Sequence, residues 1–392
     1  LMTYERERKA PPEGFPKLPD IPGRRYVDSN FLALEKENMW RRAWLYAGHS
    51  EQLPRPGSWF LTRNTVTAIL IVRDLKCEIR AFYNTCQHRG APLVTDNEGE
   101  ARGFVCGYHG WSYALDGKLT AVRDKRDFVD IDFSCRSLVA VRCEQLGNLI
   151  FINEDQEAQP LLDHIGPMAA EFDQYALDSL RFVESRSYEV QSNVKVLLDA
   201  FLEVYHLKSI HQSTVDRFLD YRGMIVTLWP KGHSRMITPN RRPDWKDPGT
   251  VGMPKIPSVT EVPANNNVSY HIFPNFVMPV SDSGIPLLQF WPTSDTTCRV
   301  VSTWIAPDYD PSQPQPLWET RIRNWERILY EDLQFAPQIQ ESLESRGFRG
   351  MPLNYQERRI YHWHEELDRR IGLNQVPPEA RVEQVLQDWV EA

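Results

Sequence analysis

Two pairs of soft metal donors lie in the first third of the chain. Cys86 and His88 are one residue apart in "YNTCQHRGAPL" (83–93), and Cys106 and His109 are two apart in "FVCGYHGWSY" (104–113). Both pairs close β-type runs, where a hairpin can present them side by side. Two thiolates and two imidazoles suit tetrahedral zinc, and they suit a [2Fe–2S] cluster as well. Gly90, Gly107 and Gly110 let backbone amides approach cluster sulfurs. Trp111 and Tyr113 can shield such sulfurs and hydrogen-bond to them, the kind of contact that tunes a metal site.

A second constellation lies in "LLDAFLEVYHLKSIH" (197–211). On a helix, Asp199, Glu203 and His206 fall on one face at i, i+4 and i+7. His211 follows His206 by five, so the helix is expected to end or bend near His211. Buried carboxylates need partners, and metal-bound or cationic imidazoles supply them. Two histidines and one carboxylate make the facial triad of non-haem Fe(II) sites, which leaves coordination positions open.

The motifs "CQHRGAPL" and "CGYHGWSYALDG" resemble those of the Rieske [2Fe–2S] domain of Rieske non-haem iron oxygenases. The 197–211 stretch is similar to the catalytic-iron motif of their α subunits, the aromatic ring-hydroxylating family. The resemblance implies that Cys86 and Cys106 hold one cluster iron and His88 and His109 the other. Arg89, Trp111 and Tyr113 would surround the cluster. It implies His206 and His211 as ligands of a mononuclear Fe(II). Glu203 takes the place of the acid that bridges the two metal sites, where many members have Asp. Asp199 matches an Asn/Asp position close to the iron. The family takes its third ligand from a late helix, and in "ILYEDLQFAPQIQ" Asp332 fits, with Glu331 and Glu326 as alternatives. It further implies O2 as co-substrate, a head-to-tail homotrimer in which one subunit's cluster faces its neighbour's iron, and electrons drawn from NAD(P)H through a separate reductase or ferredoxin. No GxGxxG follows a strand here, and no second cysteine cluster is present.

The rest of the chain must position these groups. Of 392 residues, 41% are hydrophobic, enough for two or three ordinary domains with sizeable cores. The net charge of −8 argues against nucleic acid as the main partner. The longest apolar runs, "TAILIV" and "GNLIFI", are strand length, far short of the ~20 residues of a membrane span. The charged, Pro-containing N-terminus lacks a signal-peptide pattern, so a cytoplasmic location is expected. Cys77, Cys135, Cys143 and Cys298 lack ligand-spaced neighbours and read as structural.

Residues 1–25 read as an arm and 31–44 as a helix. From 45 to 155 short β-type runs alternate with turn signals such as "DG" (116–117), an all-β domain. Helical spacing is expected at 161–175, 193–211 and 316–343, an irregular section at about 230–268, and strands at 269–279, 286–292 and 298–306. The fold class is α+β. It comprises an arm and helix at 1–44, a Rieske domain at 45–155, and a catalytic domain at 156–392 with an antiparallel sheet flanked by helices. The basic run "VRDKRDF" (122–128), with Lys118 and Arg89, is a candidate docking surface for an acidic redox partner.

Pocket candidates are Phe201, Val215, Phe218, Leu219, Met224, Ile272, Phe273, Asn275, Phe276, Leu288 and Phe290, a set rich in Phe with Asn275 as polar anchor. That composition favours a hydrophobic aromatic or alicyclic substrate. A quaternary ammonium compound, held in a cage of Tyr205, Trp229, Tyr270 and Trp291, is the alternative. A non-catalytic electron-transfer protein is the alternative class.

Overall fold

The computed structural model describes the chain except residues 64, 65, 243, 244, 246, 314 and 392. It separates into two compact units, Trp40–Leu161 and Leu1–Met39 with Leu162–Ala392.

The first unit is all β. Seven antiparallel strands run in the order Leu45–His49, Leu149–Asn153, Ala140–Leu146, Ile79–Tyr83, Ile69–Arg73, Ser58–Thr62, Glu98–Glu100. A small sheet of Phe104–Val105, Ser112–Tyr113 and Leu119–Ala121 carries the second donor pair at its first turn. Ile69, Leu70, Ile71 and Val72 are all fully buried, so this strand is covered on both faces and shows no alternation. Residues 40–44 belong with this unit rather than with the arm. Trp44 Nε1 donates to the Gln159 carbonyl at 2.9 Å, and Arg41 pairs with Glu154 at 3.0 Å. The expected helix over 31–44 is therefore shorter. It runs over Ser29–Glu35, capped by the Asp28 side chain on the Asn30 amide, and closes in a wider turn at Lys36–Trp40.

The second unit is built on another seven-stranded antiparallel sheet, ordered Arg181–Val190, Cys298–Ala306, Ile285–Pro292, Phe276–Val280, Asn266–Ile272, Ser234–Pro239, Ile225–Leu228. Its central strands are buried almost throughout. Phe201, at the end of the Val194–Phe201 helix, meets Phe290 of the sheet with ring centroids 5.1 Å apart.

Two expected helices are interrupted. Helix 316–343 divides into Pro316–Leu333 and Ala336–Leu343, because Pro337 has no amide hydrogen to give the Leu333 carbonyl one turn back. Helix 193–211 divides into Val194–Phe201 and Leu207–Ile210. The break falls at 202–206, well before His211, so Glu203 and His206 stand on a turn and do not share a helix face with Asp199. A long helix, Arg358–Ile371, has no counterpart in the sequence reading. Its apolar positions Ile360, Trp363, Leu367 and Ile371 keep helical spacing, but nine charged or His residues among its fourteen hide it.

The N-terminal arm is tied to the second unit by buried ions. Lys195 Nζ donates to Glu35 Oε1 at 2.6 Å, with both side chains sealed from solvent. Arg25 pairs with Asp368 at 2.6 Å, equally sealed. No helix among the described residues is long and apolar enough to cross a membrane. Substituting Glu35→Gln strands the Lys195 ammonium in the core and should destabilise this unit by about 3–5 kcal/mol. Urea denaturation of the variant beside the parent measures it.

Candidate metal centres

The two donor pairs of the first unit sit on matching loops. Cys86 N donates to the Ala91 carbonyl at 2.8 Å, and Cys106 N to the Trp111 carbonyl at 2.8 Å. Gly90 N returns to Cys86 O at 3.0 Å, and Gly110 N to Cys106 O at 2.9 Å. Each loop turns at a left-handed glycine, Gly90 at φ 74° and Gly110 at φ 75°, a conformation that a side chain would strain. Gly107 is not in that region; a Cβ there meets nothing.

Cys86 and Cys106 are buried, 2% exposed each. The His88 and His109 rings lie 4.5 Å apart, and His88 stacks on Trp111 at 4.9 Å and 7°. His88 Nδ1 is buried and makes no hydrogen bond, so this donor atom is kept for another partner. The Tyr113 hydroxyl lies 3.3 Å from Cys86 Sγ and accepts the Gln87 amide at 3.0 Å. Arg89 is exposed and lies over the Tyr108 ring at 5.2 Å.

Two buried thiols and two imidazoles whose rings lie 4.5 Å apart, presented on two matching loops, suit two irons bridged by sulfide. The residues present therefore fit the cluster.

The second unit brings His206, His211 and Asp332 together. Asp332 Oδ1 lies 3.2 Å from His211 Nε2 and 3.5 Å from His206 Nε2, is buried, and has no hydrogen-bond partner. Each imidazole is oriented from behind. Glu203 holds His206 Nδ1. Glu331 holds His211 Nδ1 at 2.7 Å and is itself held by the Thr214 hydroxyl at 2.5 Å. Both Nε2 atoms thus face Asp332 and carry the free lone pairs, the arrangement a metal-binding histidine requires. Two imidazoles, one carboxylate and open positions fit a mononuclear Fe(II).

Glu203 also stops the helix. Its carboxylate accepts the amides of Tyr205 and His206, which would otherwise seek carbonyls one turn back. Glu326 does not join the triad; it binds Arg186 at 2.5 Å and the Tyr188 hydroxyl at 2.6 Å. Asp199 is 5% exposed and lies on the preceding helix, where it accepts from the Tyr26 hydroxyl at 2.6 Å. Tyr26, His364 and the orienting role of Glu331 escaped the sequence reading. Helical spacing alone places Glu331 away from Asp332, and nothing local links Tyr26 to a residue 173 positions on.

The pocket candidates divide. Val215, Phe218, Leu219 and Met224 gather with Val204, Leu207 and Met236 in one apolar cluster around the turn that carries His206. Phe273 packs on Trp363, and Ile272, Phe276 and Leu288 are core. The Asn275 side chain donates to the Phe290 carbonyl at 3.0 Å, tying the turn before Phe276–Val280 to the neighbouring strand. Tyr270 is committed to Glu171 and Tyr175, and Trp229 to Arg235. Tyr205 is 55% exposed. A cavity of about 360 Å³ opens beside the apolar cluster, with Phe218, Leu219, Trp245, Asp247, Lys255 and Arg321 among its walls. Its charges are matched, Arg321 to Asp247 at 2.8 Å and Lys255 to Asp282 at 2.6 Å. The basic run at 122–128 likewise faces acids of its own, Arg123 beside Asp124 and Arg126 beside Asp127.

Tyr113→Phe removes the hydroxyl from Cys86 Sγ. A hydrogen bond to a cluster sulfur favours the reduced form, so the variant's reduction potential should fall by about 50 mV, the equivalent of one lost hydrogen bond of ~1 kcal/mol. Protein-film voltammetry on both forms reads the shift.

A model of the ring hydroxylating α subunit catalytic domain matches residues 177–373, and a model of the Rieske [2Fe-2S] domain matches residues 43–134. The oxygenase subunit of carnitine monooxygenase from Escherichia coli (strain K12) is 27% identical over 355 residues, covering 86% of this chain and 89% of that relative. The large oxygenase component of the 2,4-dinitrotoluene dioxygenase system from Burkholderia sp. (strain RASC) is 32% identical over 195 residues, covering 48% of this chain and 43% of that relative. The crystal structure of a quaternary ammonium Rieske monooxygenase in complex with L-carnitine has the same fold, with a TM-score of 0.75 at 22% identity over 93% of this chain and 99% of that one. With donor sets that fit a [2Fe–2S] cluster and a mononuclear iron, and with these matches over both units, the chain belongs to the ring-hydroxylating α subunits of the Rieske non-haem iron oxygenases, oxidoreductases that work with a separate reductase component.

Proposed function

We propose that Cys86, His88, Cys106 and His109 hold the cluster, that His206, His211 and Asp332 hold the iron, and that the chain oxygenates a small molecule with a hydrophobic aromatic or alicyclic body. When bound, the cluster supplies electrons singly and the iron activates O2. The protein's own residues do the rest. Glu203 and Glu331 fix the two imidazoles, and the apolar cluster beside them excludes water. The observation that carries the substrate reading is this cluster: Val215, Phe218, Leu219 and Met224 line the side of the ligand-bearing turn with carbon.

A second substrate reading has its own support. The relative matched over 86% of this chain is named for carnitine, and the cavity has aromatic walls in Phe218 and Trp245, stacked at 4.0 Å. Aromatic faces favour a quaternary ammonium group. A single turnover separates the readings. The reduced enzyme is mixed anaerobically with hydrophobic aromatics and with quaternary amines, labelled O2 is admitted, and the products are weighed. Label in an aromatic product supports the first reading. Label in an amine product alone overturns it in favour of the second. Two labelled oxygens in one product identify a dioxygenase, one a monooxygenase.

Electron delivery within the family likeness requires a neighbour. We place the chain in the cytoplasm as a head-to-tail homotrimer, fed from NAD(P)H through its reductase or a ferredoxin, a heterologous contact that closes into a ring. Glu203 is the residue offered to His109 of the next subunit, since its carboxylate already holds His206 from behind. Glu203→Gln keeps the oxygen that caps the turn but loses the charge between two imidazoles. Both metals should remain at parent occupancy while product per turnover falls about 10- to 100-fold, the usual cost of an outer ligand partner. Iron analysis with single-turnover yield measures both, and normal yield would sink the bridging role.

A further inference from the structure

A chain of hydrogen bonds, its direction fixed at one end, reaches the helix that precedes the His206 turn. Arg25 can only donate, and its Nε–H points to His364 Nδ1 at 3.0 Å. His364 Nδ1 is therefore the acceptor, and the ring proton is on Nε2. That atom lies 2.9 Å from the Tyr26 hydroxyl oxygen, so Nε2–H donates to it. The Tyr26 hydroxyl in turn spends its proton on Asp199 Oδ2 at 2.6 Å. Arg25 is locked by Asp368 at 2.6 Å and by the Ala380 carbonyl at 2.7 Å. The other carboxylate oxygen, Asp199 Oδ1, is buried and has no hydrogen bond; His364 Nε2, 3.6 Å away, is already committed to Tyr26. Tyr26 and His364 are fully buried, and Asp199 stands one turn ahead of the break that carries Glu203 and His206.

We propose that Asp199 is a proton store for the iron pocket, positioned by the Arg25–His364–Tyr26 chain, with Oδ1 as the oxygen that takes up and releases the proton. Oxygenation consumes protons as well as electrons: a C–H bond, O2, two electrons and two protons give C–OH and water. A proton leaving Oδ1 leaves a carboxylate still held by Tyr26, and solvent restores the proton between turnovers.

The surroundings poise the group. Arg25 and Tyr26 of the arm, Lys195 of its own helix, and His364 with Glu357 from the Arg358–Ile371 helix and its N-terminus all face Asp199; Glu35 acts through Lys195. Burial pushes the carboxyl up to about 7, against the opposing pull of the Tyr26 hydrogen bond, Lys195 and Arg25. Burial, with Arg25 and Lys195, keeps His364 neutral, as the tautomer requires. The proton is thus bound below neutrality and lost above it.

The test uses holoenzyme. Difference infrared spectra of the parent against Asp199→Asn, taken between about pH 5.5 and 8.5, should show one carboxylic C=O band that titrates near neutrality. Tyr26→Phe, which keeps the ring, removes the donor that favours the charged form, so the midpoint should rise by about one unit. The electron paramagnetic resonance signal of nitric-oxide-treated holoenzyme should change with the same midpoint in the parent and lose that change in Asp199→Asn. No titrating band, or an unmoved midpoint in Tyr26→Phe, overturns the proposal. A titrating band with a pH-independent nitric oxide signal overturns it too, since Asp199 would then not reach the pocket. Should Asp199→Asn fail to fold, Tyr26→Phe alone decides it through both readouts.

Discussion

One carboxylate, that of Glu203, accepts the amides of Tyr205 and His206 and the Nδ1 of His206. These three bonds set the local geometry of the catalytic unit. A helix continuing past Phe201 would carry His206 on the same side as Asp199, and His211 about 140° further round. By satisfying two amides outside the helical ladder, Glu203 ends the helix, re-aims His206, and lets the short Leu207–Ile210 helix bring His211 back beside it, with ring centroids 5.1 Å apart. Asp332 can then meet both Nε2 atoms from a helix more than a hundred residues later. The residue that shapes the turn is also the one that fixes the imidazole tautomer, so local backbone structure and metal chemistry rest on the same side chain.

The two metal centres solve the problem of rigidity differently. The cluster site is held by backbone: two loops repeat the same pair of hydrogen bonds and the same left-handed glycine. Such loops need few particular side chains beyond their ligands. The iron site is held by side chains, each histidine backed by a carboxylate and Glu331 backed in turn by Thr214. Carboxylates taken out of water need full pairing. The unit meets that demand with buried cations as well: Lys195 against Glu35, Arg25 against Asp368. Glu35 and Arg25 come from the arm and Asp368 from the Arg358–Ile371 helix, so both ends of the chain help hold the unit that carries the iron site.

That division explains what the sequence made legible. Cluster donors and their glycines are close in sequence because one loop carries each pair, and the spacing of Cys86, His88, Cys106 and His109 exposes them. The donor types alone left one ion or two irons open, and the flanking "HRGAPL" and "GYHGWSY" residues decided for the cluster. His206 and His211 were visible for the same local reason. The break at 202–206 was not, because 193–211 contains neither Gly nor Pro and the breaker is a side-chain hydrogen bond. The Arg358–Ile371 helix was hidden by its own function. A helix that supplies buried His, Arg, Glu and Asp to a core cannot show the clean apolar stripe by which helices are found. Asn275 shows a further limit: an isolated polar residue among aromatics looks like a ligand anchor, and a buried amide tying a turn to a strand has the same surroundings.

Glu331 and Asp332 show how tightly the side-chain solution is specified. They are neighbours on one helix, about 100° apart, yet both serve the same histidine, one at Nδ1 and one at Nε2. This is possible only if the imidazole lies across the end of that helix, which closes at Leu333 just beyond them. His206 and His211 flank the short Leu207–Ile210 helix, and Asp332 stands in the last turn of Pro316–Leu333, so the three donors meet where two separate elements end.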